Sequence, residues 1–216
     1  MTRRQVLEAV AAGRLAPAEA ARLLDAPEGG ARSVRLRSAY HAVDIVADPE
    51  VTELVIADGA HPVRREGDVL VVGDAASRFG TWRGGGRLAM RVNPQLDVDA
   101  EVTGALLSVR GLNGALRAAV QAGSAGIEGM SGALDLTVTS GSAVVAGSPR
   151  AGDWRLRAES ASLEVVVDAD ADATVDVAGR HSRVDALGSE THAVLGSGAR
   201  AIDVEAAFSD VVVRTP

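Results

Sequence analysis

The sequence predicts a mainly β fold, a single-chain β-solenoid of short stacked strands preceded by a small N-terminal α-helical hairpin. Three observations lead there. The first is a phrase that recurs: from Val34 the chain reads Val-Arg-Leu-Arg-Ser-Ala-Tyr-His-Ala-Val-Asp-Ile, and from Ile202 it reads Ile-Asp-Val-Glu-Ala-Ala-Phe-Ser-Asp-Val-Val-Val. Each is an alternating strand, a short corner and a second alternating strand, and the shape returns at Leu116, Leu134, Trp154 and Val175. Serines assigned to the corners, Ser124, Ser142, Ser162, Ser182 and Ser209, are 18, 20, 20 and 27 residues apart, the self-similarity of stacked one-rung repeats of about 20 residues. The second is composition. The 216 residues are 47% hydrophobic but only 2% aromatic, so the core is built from Val, Leu, Ile and Ala, which suit thin layers of pleated backbone. The third is a leader of different material from the rest.

That leader spans residues 1–26. Thr2 and Gln5 form a capping box, and Val6, Leu7 and Val10 share one face of the helix that follows. Gly13 stops it, Pro17 suits a first helical position, and Leu23 and Leu24 give a second helix its own stripe, with Leu15 in the connection. Helices this short are marginal alone, so the stripe needs a partner. Residues 27–32, with Glu28-Gly29-Gly30, read as a linker.

The strand-repeat domain covers residues 33–216. Val51 to Ala57 and Val69 to Val72 read as strands, and Gly73 to Arg87 as an irregular stretch that carries Phe79, Trp82 and Gly84-Gly85-Gly86. From Leu88 onward the repeat is nearly continuous. One phrase buries about four aliphatic side chains, too few to offset the ordering of its dozen residues, so each rung depends on its neighbours. Alternation points Val34, Leu36, Val43, Ile45, Leu134, Leu136, Val144, Val175, Val177, Val184, Ile202, Val204 and Val211 inward. The run Phe208 to Val213 is expected to form an exposed terminal edge, with Arg214 and Pro216 opposing indefinite stacking.

The net charge of −7 argues against a nucleic-acid partner, because phosphate binding draws on clustered cations. All 22 Lys-plus-Arg positions are arginine. Without cysteine there is no disulfide framework, thiolate nucleophile or cysteine-ligated zinc. The N-terminus lacks the apolar stretch of a secretory signal, and no window of about 18 apolar residues exists, so the expectation is a cytoplasmic protein with no membrane insertion of its own.

Residues Val6 to Leu24 resemble the short bihelical module that opens LiaX-like bacterial proteins, and the repeats from Ser33 to Pro216 resemble the adhesin-type, or toastrack, β-strand domain that follows it there. The resemblance implies a link to bacterial cell-envelope stress and a protein partner, membrane-associated or regulatory.

Candidate chemistry is sparse. Asp168, Asp170 and Asp172 have the spacing that opens a calcium loop, but Ala173 stands where its sharp-turn glycine belongs and Gly179 where its bidentate glutamate belongs. Gly84-Gly85-Gly86 fits no phosphate-binding motif. His41, His61, His181 and His192 stand in no metal or hydrolase signature. Asp97, Asp99, Asp135, Asp176 and Asp203 are able to line one face, as in a β-helix polysaccharide lyase, although alternating strands give such a face by default. No catalytic, cofactor-binding or metal residue is assigned. The expected function is a non-enzymatic interaction scaffold that acts as a monomer or closed dimer. Val6, Leu7, Val10, Leu15, Leu23, Leu24, Phe79 and Trp82 are its expected partner contacts. A bactofilin-like polymerising scaffold and a carbohydrate-active β-helix enzyme are the alternatives.

Overall fold

In the computed structural model, which describes residues 30–57, 61–73, 86–187 and 191–216, every regular element is a strand. Most come in pairs, one strand for each of two facing sheets: β1 (Ser33–Ala39) with β2 (Ala42–Ala47), β5 (Val69–Val72) with β6 (Arg87–Val92), β7 (Asp97–Thr103) with β8 (Leu106–Arg110), and β9 (Leu116–Gln121) with β10 (Ser124–Met130). The pairs continue with β11 (Leu134–Thr139) and β12 (Ser142–Gly147), β13 (Trp154–Glu159) and β14 (Ser162–Val167), β15 (Ala173–Arg180) and β16 (Arg183–Ala186), and β18 (Arg200–Ala207) and β19 (Asp210–Arg214). Three short strands, β3 (Leu54–Ile56), β4 (Val63–Glu66) and β17 (His192–Leu195), lie outside the pairs. The first sheet has 10 strands in the order β17-β15-β18-β13-β11-β9-β7-β1-β5-β4, and the second has 9 in the order β16-β19-β14-β12-β10-β8-β2-β6-β3.

This order corrects the expected fold class. The predicted helical hairpin falls in residues 1–26, outside the described residues, and no helix enters the fold described here. The repeats also do not stack in chain order. β18 and β19 lie between the β13–β14 rung and the β15–β16 rung, and β1 and β2 lie between β5–β6 and β7–β8. Phe208 to Val213 is therefore interior, since β19 pairs with β14 on one side and β16 on the other. The edges are β17, β4, β3 and β16, the first three added antiparallel.

The inserted rung fits its place better than β15–β16 would. Glu205 on β18 reaches Arg157 on β13, with Oε2 3.2 Å from Nε, where β15 offers Ala178. Arg214 on β19 reaches Glu164 on β14 at 2.8 Å, beyond the point where β16 has ended.

The corners follow one rule. Tyr40, Ala122, Ser140, Ser160, His181 and Phe208 all have φ between 51° and 63°, and Gly104 has φ 67°. All but His181 turn their N–H to the carbonyl ending the strand of the adjacent rung, as Ser140 does to Glu159 and Phe208 to Arg180. Directly after this residue the backbones crowd: a Cβ at Gly123 would sit 2.1 Å from Ala105 O, and one at Gly141 2.1 Å from Gly123 O.

The serine alignment is consequently off by one residue. Ser162 is in register with Asp210, and Asp210 with Arg183, so Ser124, Ser142 and Ser162 begin second strands whereas Ser182 and Ser209 sit in the corner itself.

Between the sheets lies one aliphatic column that includes Leu36, Ile45, Leu107, Leu116, Leu136 and Leu156, each at most 1% exposed. Trp154 is wholly buried in it and donates its indole N–H to Gly132 O at 3.1 Å. One residue expected inward departs from the column, and another, at an edge, packs against it only partly buried. Val144 is 44% exposed because Ala143 and Val145 take the inner positions of an uninterrupted apolar strand, and Val184 is half-buried on edge strand β16.

Candidate functional site

The outer face of the first sheet carries an ordered row of charge. Strand register puts Arg35, Asp99, Arg117, Asp135, Arg155 and Asp203 side by side, one from each successive strand from β1 to β18. Signs alternate along the row, so each carboxylate has a cation on the neighbouring strand. Arg35 Nε lies 3.6 Å from Asp99, and Asp135 is 3.8 Å from Arg117 and 3.5 Å from Arg157 in the next row. Such exposed pairs add little stability each, but they penalise a slipped register.

At the β13–β18–β15 end the alternation stops. Asp203 is in register with Asp176, and Asp176 with His192 on β17. His192 Nδ1 donates to Asp176 Oδ1 at 2.7 Å, the ring nitrogen being the donor because an ionised carboxylate only accepts. Two shallow depressions open here. One, of about 390 Å³, is lined by Arg155, Asp176, Thr191, His192 and Asp203, and the other, of about 610 Å³, by Thr137, Glu159, Gly179, Arg180 and Ala207. Arg157 and Glu205 line both, which makes one trough centred on β13, β18 and β15 and bounded by Thr137 of β11 and His192 of β17. Its floor is low because β15 and β18 present Ala178, Gly179 and Ala207 between charged walls.

The trough ends at the corner. Arg180 and Ala207, which line it, are followed directly by His181 and Phe208, whose rings stack with centroids 5.2 Å apart and planes 12° from parallel. Phe208 is 64% exposed. The second sheet's outer face is plainer: Ser124, Gly126, Ser142 and Ser162 lie between the exposed aliphatics Leu106, Val144 and Val212.

The expected partner contacts Val6, Leu7, Val10, Leu15, Leu23, Leu24, Phe79 and Trp82, and Gly84-Gly85 with them, all lie outside the described residues. Two of the three aspartates considered for calcium have separate partners. Asp170 pairs with Arg150 at 2.8 Å, while Asp172 accepts from Ser197 N at 2.6 Å, Ser197 Oγ at 2.8 Å and Ala199 N at 3.1 Å. Those bonds, the Ser197 side chain first, hold the Asp172 carboxyl below the usual range. Among the described residues no group of three His, Asp or Glu side chains is placed to hold a metal ion. Asp99, Asp135, Asp176 and Asp203 do share one row, but arginines separate all except the last two.

Sequence reasoning missed the trough and the ring pair. The available signals were the alternation of Arg and Asp at one strand position and an aromatic at a corner that other rungs fill with Gly104, Ala122, Ser140 or Ser160.

No protein family model matches the chain, and no curated protein matches it. Among solved structures it is similar to a "putative cell adhesion protein" from Clostridium sporogenes, at 10% sequence identity and a TM-score of 0.49, covering 88% of this chain and 96% of that one. No helix among the described residues is long and apolar enough to cross a membrane.

Proposed function

We propose that this protein is a non-enzymatic binding module whose contact surface is the trough on the first sheet, at β13, β18, β15 and β17. One observation carries the reading: beside a row in which charge alternates strand by strand, this end leaves Arg155 and Asp203 without an ion pair among the described residues, next to a depression and on strands held by a buried aliphatic core. Mixed donors and acceptors on a rigid sheet suit recognition, because little side-chain freedom is lost on binding. A connection to bacterial envelope stress belongs to this proposal too. It rests on the resemblance of Val6 to Leu24 to the LiaX-like leader, with Val6, Leu7, Val10, Leu15, Leu23, Leu24, Phe79 and Trp82 as further partner contacts.

The test is retention of purified bacterial envelope fragments by the immobilised full chain, beside an Arg155→Glu, Arg157→Glu double variant. Reversing both charges should cut retention at least tenfold while the melting temperature moves by only a few degrees. Equal retention by both proteins, or release of soluble products from the fragments, would sink the binding reading.

A further inference from the structure

We propose that the corner carrying Phe208 and His181, with the adjoining part of the trough, binds a neutral oligosaccharide. This deepens the binding-module reading and rests on it. The first argument is the placement of aromatic rings. The chain has only five aromatic residues, and of the three that are described, Trp154 is in the core while Tyr40 and Phe208 both occupy corners, 74% and 64% exposed. Both have the left-handed backbone that costs a side chain about 1 kcal/mol or more, at φ 63° and 52°. Folding does not require a ring there, since Ser140 and Ser160 make the same corner with short side chains. Tyr40 leans over Gly104, where a Cβ would lie 2.7 Å from the ring.

Phe208 is held differently. One face of its ring lies on His181, its neighbour on the other side among the described residues is the short Ser160, and the residue as a whole is 64% exposed. A fixed, half-covered ring is a platform for the C–H face of a sugar, and it is ordered before the ligand arrives.

The second argument is the chemistry beside the platform. Arg157 and Arg180 supply donors, Glu159 and Glu205 supply acceptors, and the four charges cancel. A sugar hydroxyl both donates and accepts, so balanced walls of this kind suit a neutral polyhydroxylated ligand better than a phosphate or a sulfate. The depression, about 610 Å³, is in the range of small-molecule sites. A stable protein interface instead needs roughly 1,200 Å² or more with an apolar centre, and a single phenyl ring among paired charges does not provide one.

The experiment titrates the full chain with soluble tetramers of glucose and of N-acetylglucosamine, followed by saturation-transfer and backbone-shift NMR. At least one should bind, with shifts centred on Arg180, His181 and Phe208. Phe208→Ser should weaken binding at least tenfold, and it keeps a residue that Ser140 and Ser160 prove compatible with the corner. Phe208→Trp should retain binding, and Tyr40→Ser should leave it unchanged. No shifts at millimolar sugar, or equal binding by Phe208→Ser, overturns the inference. Envelope retention that survives glycosidase and is lost to protease would also overturn it while leaving the binding-module reading in place.

Discussion

Ser209 Oγ accepts a hydrogen bond from the backbone N–H of Ala161 at 3.1 Å and thereby ties the corner of the last strand pair to the corner of the β13–β14 rung. The same hydroxyl donates to Ala207 O at 2.7 Å, and Ser209 is 6% exposed. This is the polar fixture of the inserted rung. Ser209→Ala leaves Ala161 N–H buried without its partner, a loss of about 1 to 3 kcal/mol. Urea denaturation is expected to give a lower midpoint with an unchanged slope. A variant as stable as the parent would mean that a water replaces the hydroxyl at no cost.

The rung that Ser209 fixes is also where the sequence stopped being legible. Alternation and corners identify strands because each is a local property of about six residues, and most of the predicted inward column is buried as a result. The strand Ser142–Gly147 reads Ser-Ala-Val-Val-Ala-Gly, apolar at four successive positions, so periodicity could not choose between Val144 and Val145. Spatial order was less accessible still. Every rung has the same pattern, and only pairings such as Arg157 with Glu205 place β18 against β13 instead of β15. The candidate site is assembled by that reordering: Phe208 meets His181 across 27 positions of sequence.

Acid should act in part through Asp44. It is 8% exposed on the outer side of β2, accepts from Arg87, and lies 3.0 Å from Arg110. Burial pushes its carboxyl up, but the hydrogen bonds from Arg87 and Ser108 and the charge of Arg110 outweigh it, and the net displacement is downward. Glu53 is displaced the same way, by the Arg65 hydrogen bond first and the Ala31 N–H next. A depressed carboxyl stabilises the fold above its unfolded pKa and loses that contribution as the pH falls through the folded one. Stability is therefore expected to hold from pH 7 down to about 5 and to decline below about 4. Asp44→Asn should cost about 1 to 2 kcal/mol at neutral pH and flatten the acid limb. An unchanged acid limb in that variant would remove Asp44 from the account.

Edge strand β4 is expected to limit assembly. Val63, Arg64, Arg65 and Glu66 are all exposed, and Arg65 stands in register with Leu70, whose side chain belongs to the core. A charge on the inward side of an edge strand discourages addition of another chain, and here Glu53 neutralises it. The intact protein should show no filaments by electron microscopy, whereas Arg65→Leu should scatter light increasingly with concentration. The bactofilin-like alternative is favoured only if the parent chain forms filaments at micromolar concentration.

Removal of residues 1–26 is expected to leave the fold intact. β1 is paired on both sides, over Ser33–Leu36 with β5 and over its whole length with β7, so it does not wait for a preceding strand. Its approach is anchored as well: Arg32 N–H donates to Asp68 O at 2.8 Å, and Ala31 N–H to Glu53 Oε1 at 2.7 Å. All these groups lie after the cut. A loss below about 1 kcal/mol corresponds to a shift of roughly 2 to 4 °C for a domain of this size, and calorimetry should find no more. Envelope retention should fall if Val6, Leu7, Val10, Leu15, Leu23 and Leu24 contact a partner in trans. A drop of about 10 °C would instead place those apolar stripes against the β domain itself, since only packing in cis ties their removal to the stability of the sheets.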